Sequence, residues 1–205
     1  MNALTKETQS NITPTTALDM LKEGNQRFLN KSIKTRDLNL QVEQTSTGQF
    51  PFACVLGCID SRVPSELVFD QGIGDIFNVR IAGNFVNTDI LGSMEFACKV
   101  AGSKIILVLG HTKCGAIKGA CDHVKLGNLT AMLQNFDDVL DASEYAGDRS
   151  SQNSEFVDLV THKNIEMTID KIRKNSPVLS EMEKNCEILI AGALYDVTDG
   201  SVKFL

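Results

Sequence analysis

Apolar residues in this chain gather into short unbroken runs with longer stretches of helical spacing between them. Residues 52–57 and 105–109 are continuous apolar runs of strand length, and 76–79 is similar but for Asn78, the pattern of strands covered on both faces rather than on one. Pro64 opens a helix through Phe69, Thr88 caps one running through Val100 to Gly102, and Ser154 opens a long one. In that long helix Phe156, Val160, Ile165, Ile169 and Ile172 fall mainly on one face, and it ends before Pro177. Strands separated by helices in this way predict a parallel sheet with helices on both faces.

Near the start, Pro14-Thr15-Thr16 ahead of Ala17, Leu18, Leu21 and Phe28 predicts a capped helix with a narrow apolar stripe. Residues 1–13 before it are expected to be disordered. Residues 187–195, the turn Thr198-Asp199-Gly200-Ser201 and residues 202–205 read as a strand, a hairpin and an antiparallel edge strand. Residues 137–153 are polar and predict a connection inside one domain, 14–205, with no internal repeat and no linker. The expected fold class is α/β: a mostly parallel central sheet flanked by helices, with an antiparallel C-terminal edge strand.

A chain of 205 residues, 42% of them apolar, suits a single domain. The formal charge of −6 gives a field that repels nucleic acid and anionic lipid, so neither is an expected partner. The basic runs 31–36 and 171–174 are expected to be solvated surface. No stretch approaches the roughly eighteen apolar residues of a membrane span, and the polar start lacks a signal-peptide core. The expected location is the cytoplasm, where six cysteines serve as ligands or core residues rather than as disulfides.

Two of those cysteines stand among other metal-binding chemistry. Cys58-Ile59-Asp60-Ser61-Arg62 and His111-Thr112-Lys113-Cys114 each follow an apolar run, so both lie at the carboxyl edge of the sheet, where α/β proteins bind ligands. Two thiolates and an imidazole suit zinc in tetrahedral geometry, whereas oxygen sets suit magnesium or calcium and four thiolates an iron–sulfur cluster. Arg62, two residues beyond Asp60, can hold that carboxylate bidentately, either off the metal or aimed at a metal-bound water. Gly110 and Gly115 allow close backbone approach. Cys54, Cys98, Cys121 and Cys186 lack such partners and are expected in the core. His123 and His162 are expected to be exposed or structural, and Gly72-Ile73-Gly74 to be a turn rather than a cofactor loop.

At these residues the chain resembles the beta-class carbonic anhydrases. The likeness runs through Cys58-Ile59-Asp60-Ser61-Arg62-Val63-Pro64, Phe69-Asp70, Gly74-Asp75-Ile76-Phe77, Val79-Arg80, Ala82-Gly83-Asn84, Ser93-Met94-Glu95-Phe96-Ala97 and Gly110-His111-Thr112-Lys113-Cys114-Gly115. The resemblance implies one zinc per chain on Cys58, His111 and Cys114, and a catalytic Asp60–Arg62 dyad. It also implies a homodimer that can pair further into a tetramer, with the N-terminal helix projecting over the neighbouring subunit. Asp60 becomes a fourth zinc ligand in the family's closed state. The accessible-site subgroup carries a glutamine nine residues before the first cysteine, matched by Gln49; the other carries a tryptophan where this chain has Val55. Phe96 stands where some accessible-site members have tyrosine.

The activity implied is hydration of carbon dioxide to bicarbonate by a zinc-activated hydroxide. Asp60 would orient the nucleophile, Arg62 fix Asp60, Gln49 bind a substrate oxygen, and Phe85, Val86 and Phe96 line an apolar slot. Two alternatives stay open at this point: hydrolysis of carbonyl sulfide or carbon disulfide, and a non-catalytic zinc-stabilised module with four closed protein ligands.

Overall fold

Five strands form one sheet in the computed structural model, which describes residues 2–205. They are β1 (Ala53–Gly57), β2 (Ile76–Arg80), β3 (Ile105–His111), β4 (Leu189–Tyr195) and β5 (Val202–Phe204), in the order β2-β1-β3-β4-β5. Every pairing is parallel except β4 with β5, which the hairpin makes antiparallel. All residues of β1 and β3 are buried, which explains their unbroken apolar runs. Along the outer strand β2 burial fades from Ile76 to exposed Arg80.

The helices are α1 (Lys6–Ser10), α2 (Pro14–Leu29), α3 (Leu38–Thr45), α4 (Ser65–Val68), α5 (Thr88–Glu95), α6 (Gly115–Cys121), α7 (Gly127–Leu133), α8 (Asp137–Ala142), α9 (Ser154–Asn175) and α10 (Pro177–Lys184). Strand alternation sends Ala53, Val55, Ile105, Leu107 and Leu109 to one face, against Ala17 and Leu21 of α2 and Phe69. Cys54, Leu56, Ile106 and Val108 point the other way, against Ile165 and Ile172 of α9 and Leu179 and Met182 of α10. A third cluster, with Ile117, Phe136, Val139 and Phe156, backs Cys58 and Cys114. Over β3 and β4 helix α9 lies so close that a Cβ on Gly110 or Gly192 would come within 2.7 Å of Ile165.

Several expectations change. Residues 6–10, placed in a disordered start, form α1 with a Thr5–Thr8 capping box, and buried Gln9 donates to Pro51 O and Ala101 O. Half of the α2 stripe finds cover in its own chain: Ala17 and Leu21 are fully buried there, while Leu18 and Phe28 stay partly exposed. Asn87 rather than Thr88 caps α5, which passes into a π turn at Phe96–Val100, and Pro64 is the cap of α4 rather than its first turn. The polar connection 137–153 contains α8 because Val139 and Leu140 reach the core. Within the basic run 31–36, the Arg36 side chain is mostly covered and paired with Asp70, and Cys186 is exposed, not core. No helix of the described residues is long and apolar enough to cross a membrane.

Candidate metal centre

Cys58 follows β1 directly and His111 is the last residue of β3. The two strands are adjacent and parallel, with Gly57 opposite Leu109, so both residues emerge side by side at one edge. After His111 the chain reverses through Lys113 at φ +57° and enters α6 with Cys114 as its N-cap. Sequence separation between the two motifs is thereby closed. The ligand atoms of Cys58, His111 and Cys114 lie within 4.8 Å of one another, with the two sulfurs 3.9 Å apart. All three residues are buried, His111 completely.

The donors are unsatisfied in the way a metal site requires. His111 Nδ1 lies 2.9 Å from Thr112 O, which makes Nδ1 the protonated nitrogen and leaves the lone pair on Nε2. Nε2 is buried without any hydrogen-bond partner, a costly arrangement unless a cation receives it. Cys58 is pulled down to about 4, chiefly by the Cys114 S–H with the Gly83 and Asp60 N–H groups adding to it, against burial. Cys114 is pushed up by the Cys58 thiolate beside it and by burial. Two sulfurs this close cannot both ionise alone, and a divalent cation between them removes the conflict. The donor set of two sulfurs and one nitrogen fits zinc. Gly83 N donates to Cys58 Sγ at 3.2 Å, and Asn164 of α9 holds Gly83 through its carbonyl at 2.9 Å.

Beside the ligands, Arg62 grips Asp60 at both oxygens, Nε to Oδ1 at 2.9 Å and Nη2 to Oδ2 at 2.7 Å, while Arg62 N adds a third bond at 2.9 Å. These bonds hold the Asp60 carboxyl well below the usual carboxylate range, outweighing burial. Asp60 Oδ2 lies 3.9 Å from His111 Nε2. Arg80, to which the sequence assigned no role, donates to Cys58 O at 2.8 Å and Asp60 O at 2.6 Å and so fixes the loop carrying both residues. Its register opposite Gly57 places it there, a signal that becomes readable only once β1 and β2 are paired.

A cleft of about 300 Å³ opens on Cys58 and Asp60, walled by Ile59, Ala82, Ala116, Leu129, Met132 and Leu133. Leu129, Met132 and Leu133 recur at helical spacing on α7, the sequence signal that would have found this wall. The expected slot residues lie elsewhere. Phe85 is buried edge-on against Phe136 at 5.7 Å behind the cysteines, and Val86 packs into the core on the α9 side of the sheet. Phe96, half exposed on the π turn, packs on Phe77 at 6.2 Å and lines a separate groove of about 770 Å³ along β2. Gln49 is exposed and precedes β1, whereas Cys58 follows it; β1 alone spans about 17 Å. One chain therefore gathers Cys58, His111, Cys114, Asp60 and Arg62, but neither Gln49 nor Phe96.

Comparison with known proteins bears on the same residues. The carbonic anhydrase family model matches residues 53–202. Carbonic anhydrase 2 of Mycobacterium tuberculosis is 33% identical over 194 residues, which is 93% of this chain and 92% of that protein. The structure of the beta-carbonic anhydrase CcaA superposes with a TM-score of 0.71 at 26% identity, covering 91% of this chain and 94% of that one. One of two tetrameric beta-carbonic anhydrases from the filamentous ascomycete Sordaria macrospora superposes with a TM-score of 0.67 at 27% identity, covering 82% of this chain and 90% of that one. Sequence and fold agree with the ligand cluster at the sheet edge: this chain belongs to the beta class of the carbonic anhydrases.

Proposed function

We propose that residues 14–205 act as one catalytic domain that interconverts carbon dioxide and bicarbonate, with one zinc ion held by Cys58, His111 and Cys114. The observation that carries this is the buried, unpartnered His111 Nε2 beside two thiols, with Asp60 held by Arg62. Zinc, when bound, supplies the Lewis acidity that brings the pKa of water toward neutrality. The remaining steps belong to the chain. Arg62 fixes Asp60 with Oδ2 facing the ligands, where it accepts a hydrogen bond from the nucleophile and sets its orientation. Ile59, Leu129 and Met132 give a nonpolar gas an apolar wall.

The accessible-site form, in which Asp60 stays on Arg62 instead of becoming a fourth ligand, fits the bidentate geometry. Gln49 and Phe96 sit too far along the fold to serve their own chain's ligands, so their substrate-binding role is assigned to the centre of a second copy in a homodimer. That assembly can pair again into a tetramer, the state of the Sordaria enzymes. The proposed location is the cytoplasm.

Stopped-flow carbon dioxide hydration, with zinc analysis on the same sample, tests the assignment. The expected result is one zinc per chain and activity that rises with pH, both lost in Cys58→Ser. Full zinc occupancy in a variant lacking Cys58, His111 and Cys114 overturns it.

A further inference from the structure

The loop that presents two of the three ligands is tied to the far hairpin. Thr112, between His111 and Cys114, donates its hydroxyl to Asp196 Oδ1 at 3.2 Å and accepts Val197 N at 3.1 Å. Its backbone N–H donates to Tyr195 O at 2.9 Å. Next along the loop, Lys113 Nζ reaches Thr198 Oγ1 at 3.3 Å, and Lys113 O lies 3.5 Å from Arg62 Nη2.

The hairpin turn that receives these contacts is itself fixed. Asp196 Oδ1 also accepts Thr198 N at 2.8 Å, while Asp196 N and O exchange bonds with Ser201 O and Gly200 N. Behind the turn, buried Asn25 of α2 donates to Gly200 O and accepts Val202 N, both at 3.0 Å. A continuous set of hydrogen bonds thus runs from α2 through the β4–β5 turn to Thr112. At Thr112 it meets the chemistry, because the Thr112 carbonyl accepts a hydrogen bond from His111 Nδ1–H and so leaves Nε2 as the atom free to ligate.

We propose that Asp196 and Thr112 are positioning residues for the metal centre, the β4–β5 turn acting as a clasp that fixes the tautomer of His111 and the approach of Cys114. The inference rests on the metal-centre assignment above. The part Asp196 plays is that of an acceptor, so the hydrogen bond and not the negative charge carries the effect. Asparagine, whose carbonyl oxygen can take both the Thr112 hydroxyl and Thr198 N, should therefore replace it.

The test compares Asp196→Ala, Asp196→Asn, Thr112→Val and Thr112→Ser in the full chain. The zinc dissociation constant, read by competition with a chromogenic chelator, is measured alongside the unfolding midpoint of the zinc-free protein. Asp196→Ala and Thr112→Val are expected to weaken zinc binding by roughly 10- to 100-fold, the usual cost of losing an outer-shell partner. Asp196→Asn and Thr112→Ser should bind zinc like the parent. Unchanged zinc affinity in Asp196→Ala, with only a lowered midpoint, makes the turn a purely structural element and overturns the proposal. An Asp196→Asn loss as large as that of Asp196→Ala assigns the effect to charge and also overturns it. A parent chain that binds no zinc instead removes the metal-centre assignment on which the clasp depends, and zinc analysis of the parent separates the two failures.

Discussion

Arg62 and Asp70 show how one ion pair serves chemistry and another serves the fold. The Asp60–Arg62 pair is open to solvent on the arginine side, at 49% exposure, so little stability is expected of it. Its worth lies in where it points Oδ2. Arg62→Ala is expected to retain zinc while activity drops about tenfold or more, since Asp60 is then free to turn onto the metal; activity and zinc content lost in parallel would contradict that role. Asp70 is buried at 2% side-chain exposure between Arg27 and Arg36, each at 2.5 Å. Burial raises its pKa, but hydrogen bonds from Arg27, Arg36 and Lys34 N more than reverse this, and the net shift is downward. A carboxyl lower in the folded state than unfolded stabilises the fold above the unfolded value of about 3.9, and that contribution is lost as pH falls through the folded value. Asp70→Ala should lower stability by about 3–5 kcal/mol, because it strands a buried guanidinium, and should flatten the acid limb of the denaturation profile.

At the scale of elements, α2 meets the body of the fold in one very short approach. A Cβ on Gly24 would fall 1.8 Å from the Phe69 carbonyl oxygen, which is backbone and cannot rotate away. Gly24→Ala, ordinarily favourable in a helix, is expected here to lower the denaturant midpoint strongly; an unchanged midpoint would show that α2 is not seated as described. Leu21, fully buried against the sheet, should cost about 2–5 kcal/mol when cut to alanine. The same seating brings Asn25 to the β4–β5 turn, which links the N-terminal helix to the metal loop.

On the scale of the whole molecule, the metal-ligand cluster and Gln49 stand at opposite ends of the sheet: Cys58, His111 and Cys114 at one, Gln49 beyond the other. If Gln49 serves a second copy, mixing Cys58→Ser with Gln49→Ala subunits, each weak or inactive alone, should restore activity by forming one complete centre per mixed dimer. No gain on mixing, or a monomer in light scattering that is fully active, would return Gln49 to a role outside the reaction.

What the sequence determined by itself rested on short-range pattern and on donor chemistry. Unbroken apolar runs marked β1 and β3 because their residues face cover on both sides, and the turn residues 198–201 marked the closing hairpin. Two thiols, an imidazole, and a carboxylate two residues from an arginine marked the metal centre before any distance was known, because those groups have few other uses in that combination. Tertiary structure decided what depends on register and approach. Parallel pairing set Arg80 beside the Cys58 loop, and a glycine against Phe69 seated α2 on its own domain. Thr112 met Asp196 across 84 residues of chain, and Phe96 came to rest on Phe77 away from the ligands. Such contacts join positions whose spacing along the chain carries no signal, so only the folded chain could bring them together.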